Sequence, residues 1–270
     1  FKCPSHSKGF LWVLAMRRDF TNVLWLFSLV GMFLLEAEPG FVTPGQGYPR
    51  PAFRSATTVR AVLSPTYLSD SDAQRFSEAG YSERSAVYGT ASEKMAKEEL
   101  WTAVQGILGQ SSVESFLHSA SFVDLGSGEG ELVLTALSLF PDLSKGIGVE
   151  LSAERQDAAL NNAKAASPDI GRRAEFIQGD MCDESNHQIM EAIATARLLF
   201  ISNVMFEKKL MDCVSRVIGR FVARNQAAVV VAVGKQLDID ERVTSSHSGL
   251  MTGSWGLAPA YIYGILPESR

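Results

Sequence analysis

From residue 121 onward the apolar positions gather into five short runs, each closed by small or acidic residues and separated from the next by helical spacing. Ser121-Phe122-Val123, Lys145 to Glu150, Ala174 to Gly179, Leu198 to Ile201 and Ala227 to Val233 read as strands. The last is apolar throughout, as a parallel strand covered on both faces should be. Between them, Glu131 to Leu137, Ser152 to Ala166 and Lys208 to Arg220 read as helices, the second with Ser152 as its N-cap. Alternating strands and helices predict an α/β domain with a mainly parallel sheet. Ahead of it, Ala73 to Gln110 reads mainly as helix around a polar loop, Tyr81 to Thr90. Within that stretch Met95, Leu100, Val104 and Leu108 share a face while Glu93, Lys97 and Glu98 lie outside it, which predicts a helical lid. The organisation expected is a leader or disordered arm over 1–69, the lid and a cofactor loop over 70–118, and a catalytic domain over 119–270.

The first strand runs into Asp124-Leu125-Gly126-Ser127-Gly128-Glu129-Gly130 and then straight into helix. Glycines at alternate positions let the backbone turn sharply and let a ligand lie against the main chain. The dinucleotide fingerprint needs its third glycine one position later, where Glu131 stands. Glu129 and Glu131 also put two carboxylates where a pyrophosphate wants a bare helix end, which argues for a cofactor without phosphates. S-adenosylmethionine (SAM), a sulfonium with an amino acid tail, tolerates Asp124 and Glu129 beside it. Glu150, ending the second strand, can accept from both ribose hydroxyls. After the third strand Asp180 can reach the adenine amino group and Met181 can cover the ring, although an Asp after a Gly is also a common turn residue. Asn203, after the fourth strand, offers an uncharged amide to a substrate nitrogen; a turn amide or helix cap is its plain structural alternative.

Composition narrows the picture. The chain has 270 residues, 46% hydrophobic and 20% charged, as expected of a globular protein. Cys3, Cys182 and Cys213 are an odd, scattered set, which predicts a reduced interior without disulfides; no His or Cys spacing suggests a metal. From Met16, Arg17 and Arg18 precede the apolar stretch Val23 to Leu35, too short to span a bilayer comfortably and of signal-peptide type. Pro39 to Ser69 follows without any Asp or Glu, with Arg50, Arg54 and Arg60 and many hydroxyl residues, a transit-peptide character. The pair predicts a secretory or plastid leader, with a membrane anchor or disordered arm as the alternative. Without residues 1–69 the formal charge moves from −5 to −9. Such a domain binds nucleic acid weakly by itself and suits a basic protein partner better.

Taken together these residues resemble the Dot1-type histone H3 lysine methyltransferases, a family with the Rossmann-like, seven-strand SAM-dependent fold. The resemblance runs from about Tyr88 to Tyr263. Phe122 to Gly128 followed by Gly130 is similar to that family's cofactor loop, Gly148-Val149-Glu150 to its ribose-binding strand end, and Gly179-Asp180 to its adenine-side turn. Tyr88-Gly89-Thr90 resembles its loop over the methionine moiety, with Thr90 in place of the family's acid. Ser202 to Phe206 resembles the segment beside the lysine channel, and Ser254-Trp255, Pro259, Tyr261 and Tyr263 the segment that shapes that channel. The resemblance implies that Tyr88, Thr90, Asp124, Gly126, Ser127, Gly128, Gly130, Glu150, Asp180, Met181 and Asn203 hold SAM. It implies further that Asn203, Tyr88, Phe206, Trp255 and Tyr263 serve the transfer to a lysine of histone H3 or another basic protein. The resemblance implies a nuclear chromatin regulator, whereas the leader implies the secretory route or a plastid. Two other readings stay open: a methyltransferase of the same fold acting on a small molecule or organellar protein, and a silent module that only binds SAM.

Overall fold

A computed structural model describes residues 69–82, 89–109, 111–223, 226–239 and 242–267. The leader expected over residues 1–69 lies outside the described residues except for Ser69, and Tyr88 lies outside them too. Among the described residues no helix is long and apolar enough to cross a membrane.

Helix α1 (Asp70–Glu78) starts at Ser69, whose hydroxyl accepts from the Asp72 N–H. A π-helical turn, Met95–Glu99, runs into α2 (Leu100–Leu108), and α3 (Val113–Leu117) leads to β1 (Ser121–Leu125). The chain then alternates through α4 (Glu131–Leu139), β2 (Lys145–Glu150), α5 (Ala153–Ala165), α6 (Pro168–Arg173), β3 (Ala174–Gln178), α7 (His187–Thr195), β4 (Leu198–Ser202), α8 (Lys208–Phe221) and β5 (Ala228–Val233). It closes with a hairpin of β6 (Val243–Gly253) and β7 (Gly256–Ile265). Ser152 caps α5 as its sequence position requires, its hydroxyl accepting from the Arg155 N–H.

The seven strands form one sheet in the order β3-β2-β1-β4-β5-β7-β6. Strands β1 to β5 run parallel, and β7 lies antiparallel between β5 and β6. Strand β1 has β2 on one side and β4 on the other, so successive connections leave it in opposite directions. The crevice this opens at the carboxyl ends of the strands is where open α/β sheets take ligands.

Strand periodicity divides the core between two faces. Val123 and Leu125 of β1, with Leu199 and Ile201 of β4, pack under α7 and α8. Phe122 of β1, with Leu198 and Phe200 of β4, packs under α2 and α4. Both faces being covered explains why β5 could be apolar at every position. The hairpin has no comparable signature in the sequence, because β6 is an edge strand exposed over most of its length.

One expectation is overturned. Cys182 and Cys213 form a disulfide, with their Cα atoms 6.0 Å apart. Thirty-one residues separate them, and only the packing of the turn after β3 against α8 brings them together. Closing a loop of that size corresponds to roughly 3–4 kcal/mol in the chain-entropy picture. Cys213→Ser is therefore expected to lower the unfolding free energy by about 2–4 kcal/mol. Urea unfolding measures the loss, and adding reductant to both proteins should abolish the difference.

Candidate active site

The turn after β1 is built as the glycine spacing requires: Gly126, Gly128 and Gly130 sit at φ of 84°, 53° and 81°. These left-handed angles are strained for any residue with a β-carbon. Their surroundings differ. A β-carbon on Gly130 would stand 2.5 Å from the Phe176 ring, so this glycine serves the packing of α4 against β3. One on Gly126 would meet nothing closer than the Met181 methyl at 3.8 Å, so the main chain there faces open space.

Beside Gly126 lies a cleft that is partly open to solvent. Glu150, Asp180 and Met181 line its inner side, and Phe76 and Tyr81 line it from α1 and the residues that follow. Val204, Met205, Phe206, Leu210 and Trp255 form its apolar part. A smaller recess shares Gly89, Gly126, Ser202 and Trp255 with the cleft and is lined by Thr90, Asp124 and Ser127. The expected cofactor residues Thr90, Asp124, Gly126, Ser127, Glu150, Asp180 and Met181 thus converge on two adjoining spaces.

The carboxylates are held in three different ways. Glu150 is 4% exposed and accepts from the Gly128 N–H and the Ser152 N–H, both at 2.9 Å. Burial pushes its pKa up, while the Ser152 N–H, Arg155 and the Gly128 N–H oppose the rise. Asp180 accepts from the Tyr81 hydroxyl at 2.8 and 2.9 Å and from the Cys182 N–H at 2.8 Å. Burial, and then Asp180, hold the Tyr81 phenol above its ordinary pKa, so it remains a donor. Asp124 is pushed up to about 8, by burial first and by the Glu150 charge second.

SAM fits this set. The ribose diol matches Glu150, the adenine amino group matches the remaining acceptor capacity of Asp180, and a cation matches Asp124. Ser127 and Trp255 line the recess, and the Ser127 hydroxyl and the Trp255 indole N–H are buried without hydrogen-bond partners. An unpaired buried polar group is costly, and a polar amino acid tail has the chemistry to pair with one.

Long-range contacts deliver Trp255 and Thr90. The β6–β7 turn carries Trp255 to the carboxyl end of the sheet, where its ring lies against Gly89 and Gly253; a β-carbon on either would come within 2.5 Å of it. The Thr90 N–H donates to the Ser254 hydroxyl at 3.0 Å, and the Thr90 carbonyl accepts from the Ser254 N–H at 2.9 Å. Glu99, in the π-turn, accepts from the Thr252 N–H and hydroxyl at 2.7 and 2.9 Å, which ties that turn to the same hairpin.

Two residues expected at the acceptor side are placed differently. Asn203 is fully buried and does not line the cleft. Its amide is engaged at both ends by one residue: the carbonyl accepts from the Lys235 N–H at 2.6 Å, and the NH2 donates to the Lys235 carbonyl at 2.9 Å. It clasps the ends of β4 and β5 and thereby fixes Val204 to Phe206. Tyr263 is 4% exposed in the core, where its hydroxyl accepts from the Leu237 N–H at 3.0 Å, away from the cleft. Phe206 and Trp255 do line the cleft. Sequence reading missed Phe76, Tyr81 and Arg155 as cleft residues; the only signal for Tyr81 was an aromatic inside a polar loop.

The sheet order, the glycine turn and the acids at the ends of β2 and β3 define a SAM-dependent methyltransferase of the seven-strand class. The family model described as "Histone methylation protein DOT1" matches residues 81–246, and the chain belongs to this family. Trp255, Tyr261 and Tyr263 lie beyond the matched segment. Among solved structures, an RNA methyltransferase from Salinibacter ruber in complex with S-adenosyl-L-homocysteine is similar, at 17% identity and TM-score 0.44, over 64% of this chain and 94% of that one. A putative methyltransferase, yhhF, from Escherichia coli has 13% identity and TM-score 0.45, over 63% of this chain and 86% of that one. The glycopeptide N-methyltransferase MtfA complexed with SAM has 14% identity and TM-score 0.38, over 60% of this chain and 64% of that one. No curated protein matches the chain.

Asp124 makes the site sensitive to pH. With its carboxyl at about 8, the group is mostly protonated at neutral pH in the free protein. A bound cation favours the carboxylate, so binding lowers this pKa and releases a proton. Affinity for SAM is then expected to rise with pH up to about 8 and to level off above it. Calorimetry in buffers of different ionisation enthalpy should detect the released proton near pH 7 and lose it in Asp124→Asn.

Proposed function

We propose that this methyltransferase transfers a methyl group to a lysine side chain of a basic protein, with histone H3 as the favoured acceptor. The observation that carries the reading is the apolar part of the cleft, where Val204, Met205, Phe206, Leu210 and Trp255 adjoin the cofactor-binding acids. When bound, SAM supplies a methyl carbon made electrophilic by its sulfonium. The protein must align the nucleophile with that carbon and exclude water. An ammonium must shed its proton before it can attack, and apolar walls favour the neutral amine. Phe206 and Trp255 serve this role by desolvation. Asn203 acts one step removed, through the clasp on Lys235 that holds Val204 to Phe206 in place. Gly234, at φ 123°, permits the clasp, since a β-carbon there would stand 2.6 Å from the Val204 backbone.

The acidic domain supports a basic protein acceptor through electrostatic attraction, and unaided nucleic-acid binding is weak at most. A histone acceptor implies the nucleus. The Cys182–Cys213 disulfide favours a second reading, an acceptor protein in an oxidising compartment or organelle, as the arginine-bearing, acid-free stretch before residue 70 does.

Incubation of the full chain with radiolabelled SAM and, separately, nucleosomes, free histones, an extract of organellar and secretory proteins and a metabolite extract separates the readings. Label on a lysine of histone H3 is the expected outcome, and label confined to metabolites would exclude a protein acceptor. Tight SAM binding without turnover on any of these would instead indicate a silent module. Asn203→Ala is expected to keep SAM affinity within about threefold and to lower turnover by about 10–100-fold, because the segment it positions shifts. Calorimetry and initial rates on the same preparation check the split.

A further inference from the structure

Helix α1 ends ahead of the segment matched by the family model, yet it and Tyr81, which follows it, are tied to the surroundings of Glu150 and to Asp180. Asp72, in its first turn, is 1% exposed. Its carboxylate accepts from the Ser152 hydroxyl at 2.5 Å and from the Ala153 and Glu154 N–H groups at 3.0 and 3.4 Å. Asp72 and Ser152 together thus satisfy the donors at the start of α5, a role helices usually give to their own residues. Ser152 is in turn the residue whose N–H holds the Glu150 carboxylate. Beyond α1, the Tyr81 hydroxyl donates to both oxygens of Asp180. Lys209 of α8 steadies this end, donating to the Gly80 carbonyl at 3.2 Å with its ammonium 5.9 Å from the centre of the Tyr81 ring. Between the two attachments Phe76 is directed into the core and lines the cleft.

Residues 69–82 therefore form a strap tied at one end beside the ribose acid and at the other to the adenine-side acid. A surface helix held only by packing would not need a buried carboxylate 80 residues from its partner in sequence, or a phenol hydrogen-bonded to a carboxylate 99 residues away. We propose that Asp72 and Tyr81 are positioning residues for the cofactor, pinning this strap across the adenosine half of the cleft so that Glu150 and Asp180 are preset to receive it. Neither touches the reacting atoms. Asp72 acts through Ser152 on Glu150, and Tyr81 acts by orienting Asp180. The assignment rests on SAM occupying the cleft.

The test compares wild type, Asp72→Asn, Tyr81→Phe, the double variant and the control Asp70→Asn, an exposed acid of the same helical turn. Each is assayed in the full chain for melting temperature, for the Kd of S-adenosylhomocysteine by calorimetry, and for KM of SAM against kcat. Asp72→Asn keeps one acceptor but cannot serve the Ser152 hydroxyl and both N–H groups, and Tyr81→Phe keeps the ring without the donor. Each is expected to raise Kd and KM about tenfold or more while kcat falls by no more than about threefold. Because both ends secure one strap, the double variant should lose less than the product of the single effects. The control should bind as wild type does. Variants that melt earlier but bind within twofold of wild type would overturn the proposal and leave Asp72 and Tyr81 as stabilising contacts only. So would effects that multiply in the double variant. Failure of wild type itself to bind S-adenosylhomocysteine would overturn the cofactor reading, and the strap proposal with it.

Discussion

Everything at this site depends on a carboxylate that the fold buries at the end of a parallel strand. Glu150 is nearly inaccessible, and backbone donors from two sides, with Arg155 beside them, favour its ionised form against burial. The Gly128 N–H comes from the turn after β1, and the Ser152 N–H comes from the start of α5. That one acid couples the glycine turn, the second strand and the following helix into a single rigid corner. Its charge also reaches Asp124, which adds to the burial that keeps that carboxyl protonated at neutral pH. The free site therefore holds its acids under electrostatic stress that a cationic ligand relieves, a general reason for a pocket of acids to prefer a sulfonium and an ammonium over a phosphate.

Around this corner, elements distant in the chain supply the walls. The β6–β7 hairpin brings Trp255 against Gly89 and pairs Ser254 with Thr90, so the segment before α2 and the last strands border the recess together. The Cys182–Cys213 bond and Lys209 fasten α8 to the adenine-side turn and to the segment after α1. On the acceptor side, the hydrogen bonds between Asn203 and Lys235 join the ends of β4 and β5 and set the apolar segment that follows β4. Polar contacts thus hold the apolar surfaces in register, and under the proposed function those surfaces are the ones that keep the acceptor amine neutral.

Much of this was legible in the chain. The apolar runs at β1 to β5 and the alternation with helices led to the α/β sheet, because parallel strands buried on both faces cannot be polar. The glycine turn and the acids at Glu150 and Asp180 were readable because short sequence distances after a strand place residues at its carboxyl end almost without choice. Ser152 was readable for the same reason, a cap being a local interaction. The edge strand β6 left no such trace, since exposure removes the need for an apolar pattern.

What the sequence by itself determined, then, was the cofactor corner, built from contacts set by strand ends and turns. Tertiary structure alone decided the rest. It turned Asn203 and Tyr263 away from the cleft, because a buried amide or hydroxyl takes whichever backbone partner the packing offers. It joined two cysteines that their spacing had left apart. It also tied residues 69–82 to the corner through Asp72 and Tyr81, whose partners lie 80 and 99 residues away and carry no mark of the pairing in local pattern.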